Sequence, residues 1–212
     1  MKKANKIVVE AVIPAPVETV WERTQEPDLH TRWDIRFSHI AYLPEKDERG
    51  FNLMDYRTKI GFGIEIAGIG RYLQNSPPKH STFEFESSDW KSIITTGRGI
   101  WQYKPCIEGT YFRTVYDYET RYGRLGKFVD QILFRPVMQL ATEWGFETLR
   151  LWCAASDENV LLKRASKLRF VPFFVKRYLG FPPLKNAAQS WIGTGQETKL
   201  KPDYKADLRR AT

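Results

Sequence analysis

His39 is the titratable side chain that this sequence places where a proton could be moved. Over residues 35–43, Ile35, Phe37, His39, Ala41 and Leu43 fall on alternate positions and would share the inner face of a strand. An inward imidazole titrates near neutral pH and suits a general base. The same placement suits a core histidine bonded to a backbone carbonyl, because no carboxylate of that stretch shares its face. Two carboxylate pairs, Glu84 with Glu86 and Asp117 with Glu119, have a same-face spacing that paired acid–base work would use. Both fall opposite aromatic faces, which directs them to water and to cations such as Arg71, Arg113 or Arg121. His30 reads as solvated on a short helix, and Asp34 as a residue that caps or closes a turn.

Other chemistries find no footing. There is no G-x-S-x-G nucleophile elbow. The pairs Gly61-x-Gly63 and Gly68-x-Gly70 do not open a helix, so they read as bends and not as phosphate loops, and Gly97 and Gly99 read likewise as bends that curve a sheet. Cys106 and Cys153 form no C-x-x-C, and the three histidines, His30, His39 and His80, are scattered. No metal site and no cofactor are therefore expected.

Positioning any such group requires a sheet and something to close it. Ile7–Ile13 reads as a strand bounded by a double Pro signal. Pro16 suits a helical first turn, where its missing N–H costs nothing, and Val17, Val20, Trp21 and Thr24 follow at helical spacing. A second short helix starts at Pro27, with Leu29 and Trp33 four apart on one face. Strands are predicted over 35–43, 51–59, 64–73, 80–86, 92–104 and 110–122. Alternation sends Phe83 and Phe85 inward, and Phe112, Thr114, Tyr116 and Tyr118 share an aromatic, hydroxyl-bearing face. From about 124 to 153 the period turns helical, with Ile132, Leu133 and Trp144 on a wide apolar stripe. Pro136 predicts a kink or break near Arg135.

The opening Ile13-Pro-Ala-Pro-Val-Glu-Thr-Val-Trp21 followed by Pro27-Asp-Leu-His-Thr-Arg-Trp33-Asp34 resembles the START-like, birch-pollen-allergen-like helix-grip superfamily known as SRPBCC, over roughly residues 4–153. The resemblance implies an α+β fold: a curved antiparallel sheet of six or seven strands around a long C-terminal helix, with two short helices after the first strand. It also implies an internal pocket for an apolar molecule, and a polyketide cyclase/dehydrase-like branch is among its forms. The expected function is the binding or transport of an apolar or amphipathic small molecule, such as a lipid, polyketide or aromatic metabolite. Its walls would be Phe83, Phe85, Trp101, Tyr103, Phe112, Tyr116, Tyr118, Ile132 and Leu133. The alternative is a cyclase, dehydratase or hydrolase working in the same cavity through Tyr hydroxyls and His39.

The charge divides the chain. Residues 159–212 hold 12 Lys and Arg against 3 acids, whereas residues 1–158 hold 21 against 22, so the net +8 belongs to the end of the chain. A helix-grip domain over 1–156 and a basic, aromatic extension over 157–212 are expected. Lys163, Arg164, Lys167, Arg169, Lys176 and Arg177 lie among Leu, Phe and Val without an intervening acid, a pattern that suits docking on an anionic membrane or a partner. Nucleic acid is not the expected partner, because the aromatics cluster with aliphatics and are not spaced along a basic groove. No run approaches the ~18 apolar residues of a membrane span, and no signal-peptide core follows the N-terminus, so a cytoplasmic protein, peripheral at most, is expected.

Overall fold

The structure, a computed structural model, describes residues 6–154. Seven strands form one antiparallel sheet: β1 (Ile7–Ile13), β2 (His39–Lys46), β3 (Asn52–Gly61), β4 (Ile64–Ser76), β5 (His80–Glu86), β6 (Ile94–Cys106) and β7 (Gly109–Thr120). Their order is β1-β7-β6-β5-β4-β3-β2, so a meander from β2 to β7 is closed by β1 pairing beside β7. The chain crosses from β1 to the far edge through α1 (Val17–Gln25) and α2 (Pro27–Trp33). Pro27 at the first position of α2 gives that helix a fresh start one residue after α1 closes. After β7 come α3 (Gly123–Val129), a π-helical segment (Asp130–Phe134) and α4 (Arg135–Ala154). This is the α+β helix-grip, SRPBCC-like architecture that the opening motif implied. The extension with its six cations, Lys163 to Arg177, lies outside the described residues.

The predicted break near Arg135 is the π-helical segment. Pro136 has no N–H to offer the carbonyl four residues back, so the helix widens over the turn just before it. Beyond it α4 packs chiefly on β1, and Phe146, Leu149 and Trp152 join Ile7, Val9 and Ile13 in the core. Phe112 stacks between Tyr103 and Phe146 at centroid distances of 4.8 and 4.5 Å, and Trp33 meets Phe146 edge-on. Filling this end of the grip with rings leaves the other end, under β3 to β6, for something else.

Several strands differ from their sequence reading by two or three residues at an end, and one differs in the face it buries. Residues 35–38 are not strand: the Asp34 carboxylate accepts the Arg36 backbone N–H (3.1 Å) and the Asp34 carbonyl accepts that of Phe37 (3.2 Å). An alternation counted through that turn comes out inverted, so Ile40 points in and His39 points out.

Candidate functional site

A cavity of about 1020 Å³ lies between the concave face of the sheet and α4. Phe83, Phe85 and Trp101 form its sheet wall, and Val137, Met138 and Trp144 its helix wall. Gly97 and Gly99 do more than bend β6. A Cβ on Gly97 would strike the Phe85 ring, and one on Gly99 the Phe83 ring, so glycine lets both phenyl groups lie flat across the neighbouring strand. The rings stack at 6.3 Å and form a continuous apolar wall. Tyr56 and Tyr72 line the cavity from β3 and β4. Burial pushes both phenols above their usual range, so they remain neutral.

At the inner end of this apolar space sits a buried polar cluster. Asp34, at the C-terminus of α2, is fully buried. Its carboxylate takes a two-point grip from Arg36: Nε to Oδ1 at 2.9 Å and Nη2 to Oδ2 at 2.6 Å. Arg36 Nη1 reaches the hydroxyls of Tyr116 on β7 (3.2 Å) and Thr142 on α4 (3.1 Å), which are themselves 2.8 Å apart. Thr142 donates to the Met138 carbonyl at 2.7 Å, so the Tyr116 hydroxyl passes its proton toward Thr142. One guanidinium thus ties the α2 turn, the central sheet and the gripped helix together.

His30, one helical turn before Asp34, places Nε2 3.1 Å from Asp34 Oδ2. It is 3 % exposed and packed by the rings of Trp33, Phe37 and Trp101. Burial lowers the His30 pKa, a shift that outweighs the pull of Asp34 toward the charged form. The Asp34 carboxyl is held well below the usual range although burial alone would raise it, because Arg36 and His30 both bond to it. An ionised carboxylate only accepts, so a neutral His30 carries its proton on Nε2 and leaves Nδ1 as a lone pair. Arg36 is held charged by Asp34 despite its burial.

Two donors at this end lack partners. Arg36 spends four of its five N–H groups on Asp34, Tyr116 and Thr142, and the last one, on Nη2, meets no acceptor among the described residues. Thr114, 1 % exposed and two residues from Tyr116 on the same face, has a buried hydroxyl with no partner among the described residues. Both side chains line the cavity. A buried donor left unmet costs about 1–3 kcal/mol, which a ligand oxygen would offset.

Of the side chains expected to form the walls, Phe83, Phe85, Trp101 and Tyr116 line the cavity. Tyr103, Phe112 and Tyr118 do not. Phe112 is sealed in the ring stack, Tyr103 bonds Thr24 (2.7 Å) and Gln25 (3.0 Å), and Tyr118 donates to the buried Asp130 at 2.7 Å. Ile132 and Leu133 are exposed on the π-helical segment, because its i→i+5 widening turns them away from the sheet. His39 is half-exposed, 4.0 Å from Asp55, and does not touch the cavity. His30, read as solvated, is buried. Three of the four outward carboxylates meet cations: Glu84 faces Arg49 and Arg98, Glu86 bonds Arg71, and Asp117 bonds Arg135. Sequence reasoning missed Arg36, Tyr56 and Tyr72. For Arg36 a signal existed, an Asp-x-Arg directly after a short helix in apolar company.

Comparison with known proteins agrees with the fold. No family model matches the chain. It is 39 % identical over 155 residues to an uncharacterized membrane protein, YndG, of Bacillus subtilis (strain 168). That match takes in 71 % of this chain and 58 % of the relative, so the chain spans less than two thirds of the relative's length. A solved structure from Rhodobacter sphaeroides is similar at a TM-score of 0.54 and 18 % identity, covering 73 % of this chain and 95 % of that one. One from Thermus thermophilus is similar at 0.53 and 18 %, covering 72 % and 99 %. At such identities the likeness carries the fold alone. Among the described residues, no helix is long and apolar enough to cross a membrane.

Proposed function

We propose that this helix-grip protein binds one amphipathic small molecule, a lipid, polyketide or aromatic metabolite. Its apolar body fills the cavity, and a neutral oxygen accepts hydrogen bonds from Arg36 and Thr114. The observation that carries the reading is the buried, unmet Thr114 hydroxyl and the spare N–H of Arg36 Nη2 in a mostly apolar wall. A pocket that is mostly apolar with a few placed polar groups is the usual form of a small-molecule site. Charge selects the head group. Asp34 already neutralises Arg36, so a carboxylate there would bring an uncompensated charge out of water, whereas a hydroxyl or carbonyl would not. Carriage is the first reading, and cytoplasmic placement with peripheral docking through Lys163 to Arg177 remains part of the proposal.

The test is displacement of a fluorescent apolar probe by an alkane, an alcohol and a carboxylate of equal chain length. The alcohol should bind about tenfold tighter than the alkane, and the carboxylate weaker than the alcohol, from one charge-assisted hydrogen bond. Thr114→Val should reduce the preference for the alcohol and leave the alkane unchanged. Equal affinity for all three compounds would remove the head-group assignment, and failure to bind the probe would remove the cavity reading.

A second reading rests on His30. Its free Nδ1 beside a buried carboxylate is a proton acceptor at the cavity wall, as a cyclase, dehydratase or hydrolase would use. Turnover of aryl esters or aromatic polyketide analogues that is lost in His30→Gln, with probe affinity retained, would favour it.

A further inference from the structure

Three segments far apart in sequence, each of which contributes a side chain to the cavity lining, carry exposed apolar side chains. The first is the β3–β4 hairpin tip, where Ile60 and Ile64 are 54 % and 41 % exposed and Phe62 is 95 % exposed. The second is the loop before β6, with Trp90 at 75 %. The third is α3 with the π-helical segment, where Leu125, Phe128 and Ile132 are 60 % or more exposed. Continuity with the cavity is direct. Ile60, Lys91 and Phe134, one from each segment, line it. The segments are also tied together, since the Tyr122 hydroxyl donates to the Trp90 carbonyl and Lys91 Nζ to the Glu65 carbonyl.

Phe62 breaks a local rule. The tip turns through Phe62 and Gly63 with φ of +52° and +74°, the left-handed pair that a two-residue hairpin normally fills with Asn or Asp and Gly. A phenylalanine there carries left-handed strain and, almost fully exposed, recovers nothing by packing. A rule broken without gain inside the fold is the kind of violation found at functional sites.

Charge indicates what meets these segments. Over residues 59–65, 87–93 and 121–135 there are six Lys and Arg against three acids. The three acids are engaged: Glu65 by Arg57, Asp89 by Lys91 and Asp130 by Arg135. Lys59, Arg124 and Lys127 are exposed and meet no acid among the described residues. Large apolar tips flanked by free cations, on segments that line an apolar cavity, complement an anionic lipid leaflet: rings enter the acyl boundary and cations meet head groups.

We infer that these segments form the rim of the cavity and that the protein docks through it on anionic lipid bilayers, so that the cavity opens into the leaflet and an apolar molecule can pass without crossing water. This goes beyond the binding reading above and assigns to the rim a role separate from that of the basic extension.

The experiment is flotation of the intact 212-residue chain with phosphatidylcholine vesicles, with and without phosphatidylglycerol, at low and high salt. Three variants are compared with it: Phe62→Asn with Phe128→Gln; Lys59, Arg124 and Lys127 all to Gln; and Lys163, Arg164, Lys167, Arg169, Lys176 and Arg177 all to Gln. Because the rim side chains are exposed, the first two variants should keep the parent's melting temperature. The intact protein should bind anionic vesicles, and more weakly at high salt. The aromatic rim variant should lose about tenfold or more of that affinity, as expected for withdrawing two buried rings, and the rim-cation variant should lose most of its salt dependence. The inference is overturned if the intact protein ignores anionic vesicles, or if only the extension variant loses binding. It is equally overturned if sedimentation shows a dimer that the aromatic rim variant dissociates, since a second copy would then be what covers the rim.

Discussion

Asp34→Ala tests the physical centre of the molecule. The change deletes the two hydrogen bonds from the Arg36 guanidinium to Asp34, the one from the Arg36 backbone N–H and the one that fixes His30, and it leaves a largely buried cation held only by neutral hydroxyls. Breaking a buried pair from one side costs about 3–5 kcal/mol, mostly the solvation the stranded charge cannot recover. In a chain of this length that lowers the melting temperature by about 10 °C. Arg36→Met alone strands the carboxylate instead and should cost a similar amount. The double variant strands neither charge, so it should be more stable than either single variant, with a coupling of about 2 kcal/mol or more in urea titrations. The effect has a pH signature. The folded Asp34 pKa is depressed below its unfolded value of about 3.9, so the stabilisation is fully present above about pH 5 and lost as pH falls toward the folded value. Measured in a His30→Gln background, where the His30 titration does not overlap, the Asp34→Ala penalty should therefore be flat from pH 5 to 8 and shrink below about pH 4. Additive single effects, or an Asp34→Ala cost under about 1 kcal/mol, would refute the assignment of this pair as a buried, mutually dependent tie.

His30 gives a second pH effect of its own. Its folded pKa is lowered, so below the unfolded value of about 6.5 the unfolded chain takes up a proton that the folded one refuses, and stability falls by up to about 1.4 kcal/mol per pH unit. Urea titrations from pH 7.5 down to 5 should show that slope in the parent and lose it in His30→Gln. Truncation after Ser156 should leave a cooperatively folding protein with the parent's probe affinity, because the described part of the gripped helix runs to Ala154 and, among the described residues, the cavity is lined from 30–144. An unfolded or probe-blind fragment would place part of the core or the site in the extension.

Local physics made much of the fold legible. Pro16 and Pro27 punctuate two helices, period-two alternation marks the strands and their inner faces, and Pro136 marks the break in the last helix. These are short-range effects, decided by one residue's missing N–H or by the side on which successive side chains emerge. For the same reason Phe83, Phe85, Trp101 and Tyr116 could be assigned inward from alternation alone. Inwardness, however, does not separate cavity from core. Phe112 and Tyr116 share one face of β7, yet one is sealed by Phe146 and the other opens on the cavity, because α4 approaches the sheet closely at one end only. The site itself was illegible for a related reason. Asp34 and Arg36 are two residues apart, but Tyr116 and Thr142 join them across 80 and 106 residues of chain, and Trp101 reaches His30 from β6 to help bury it. A turn bonded through the Asp34 side chain then inverted the alternation that had pointed His39 inward. Local sequence decides which way each side chain leaves the backbone; what it meets there depends on distant elements, and only their packing decides which charges are buried and which donors are left for a ligand.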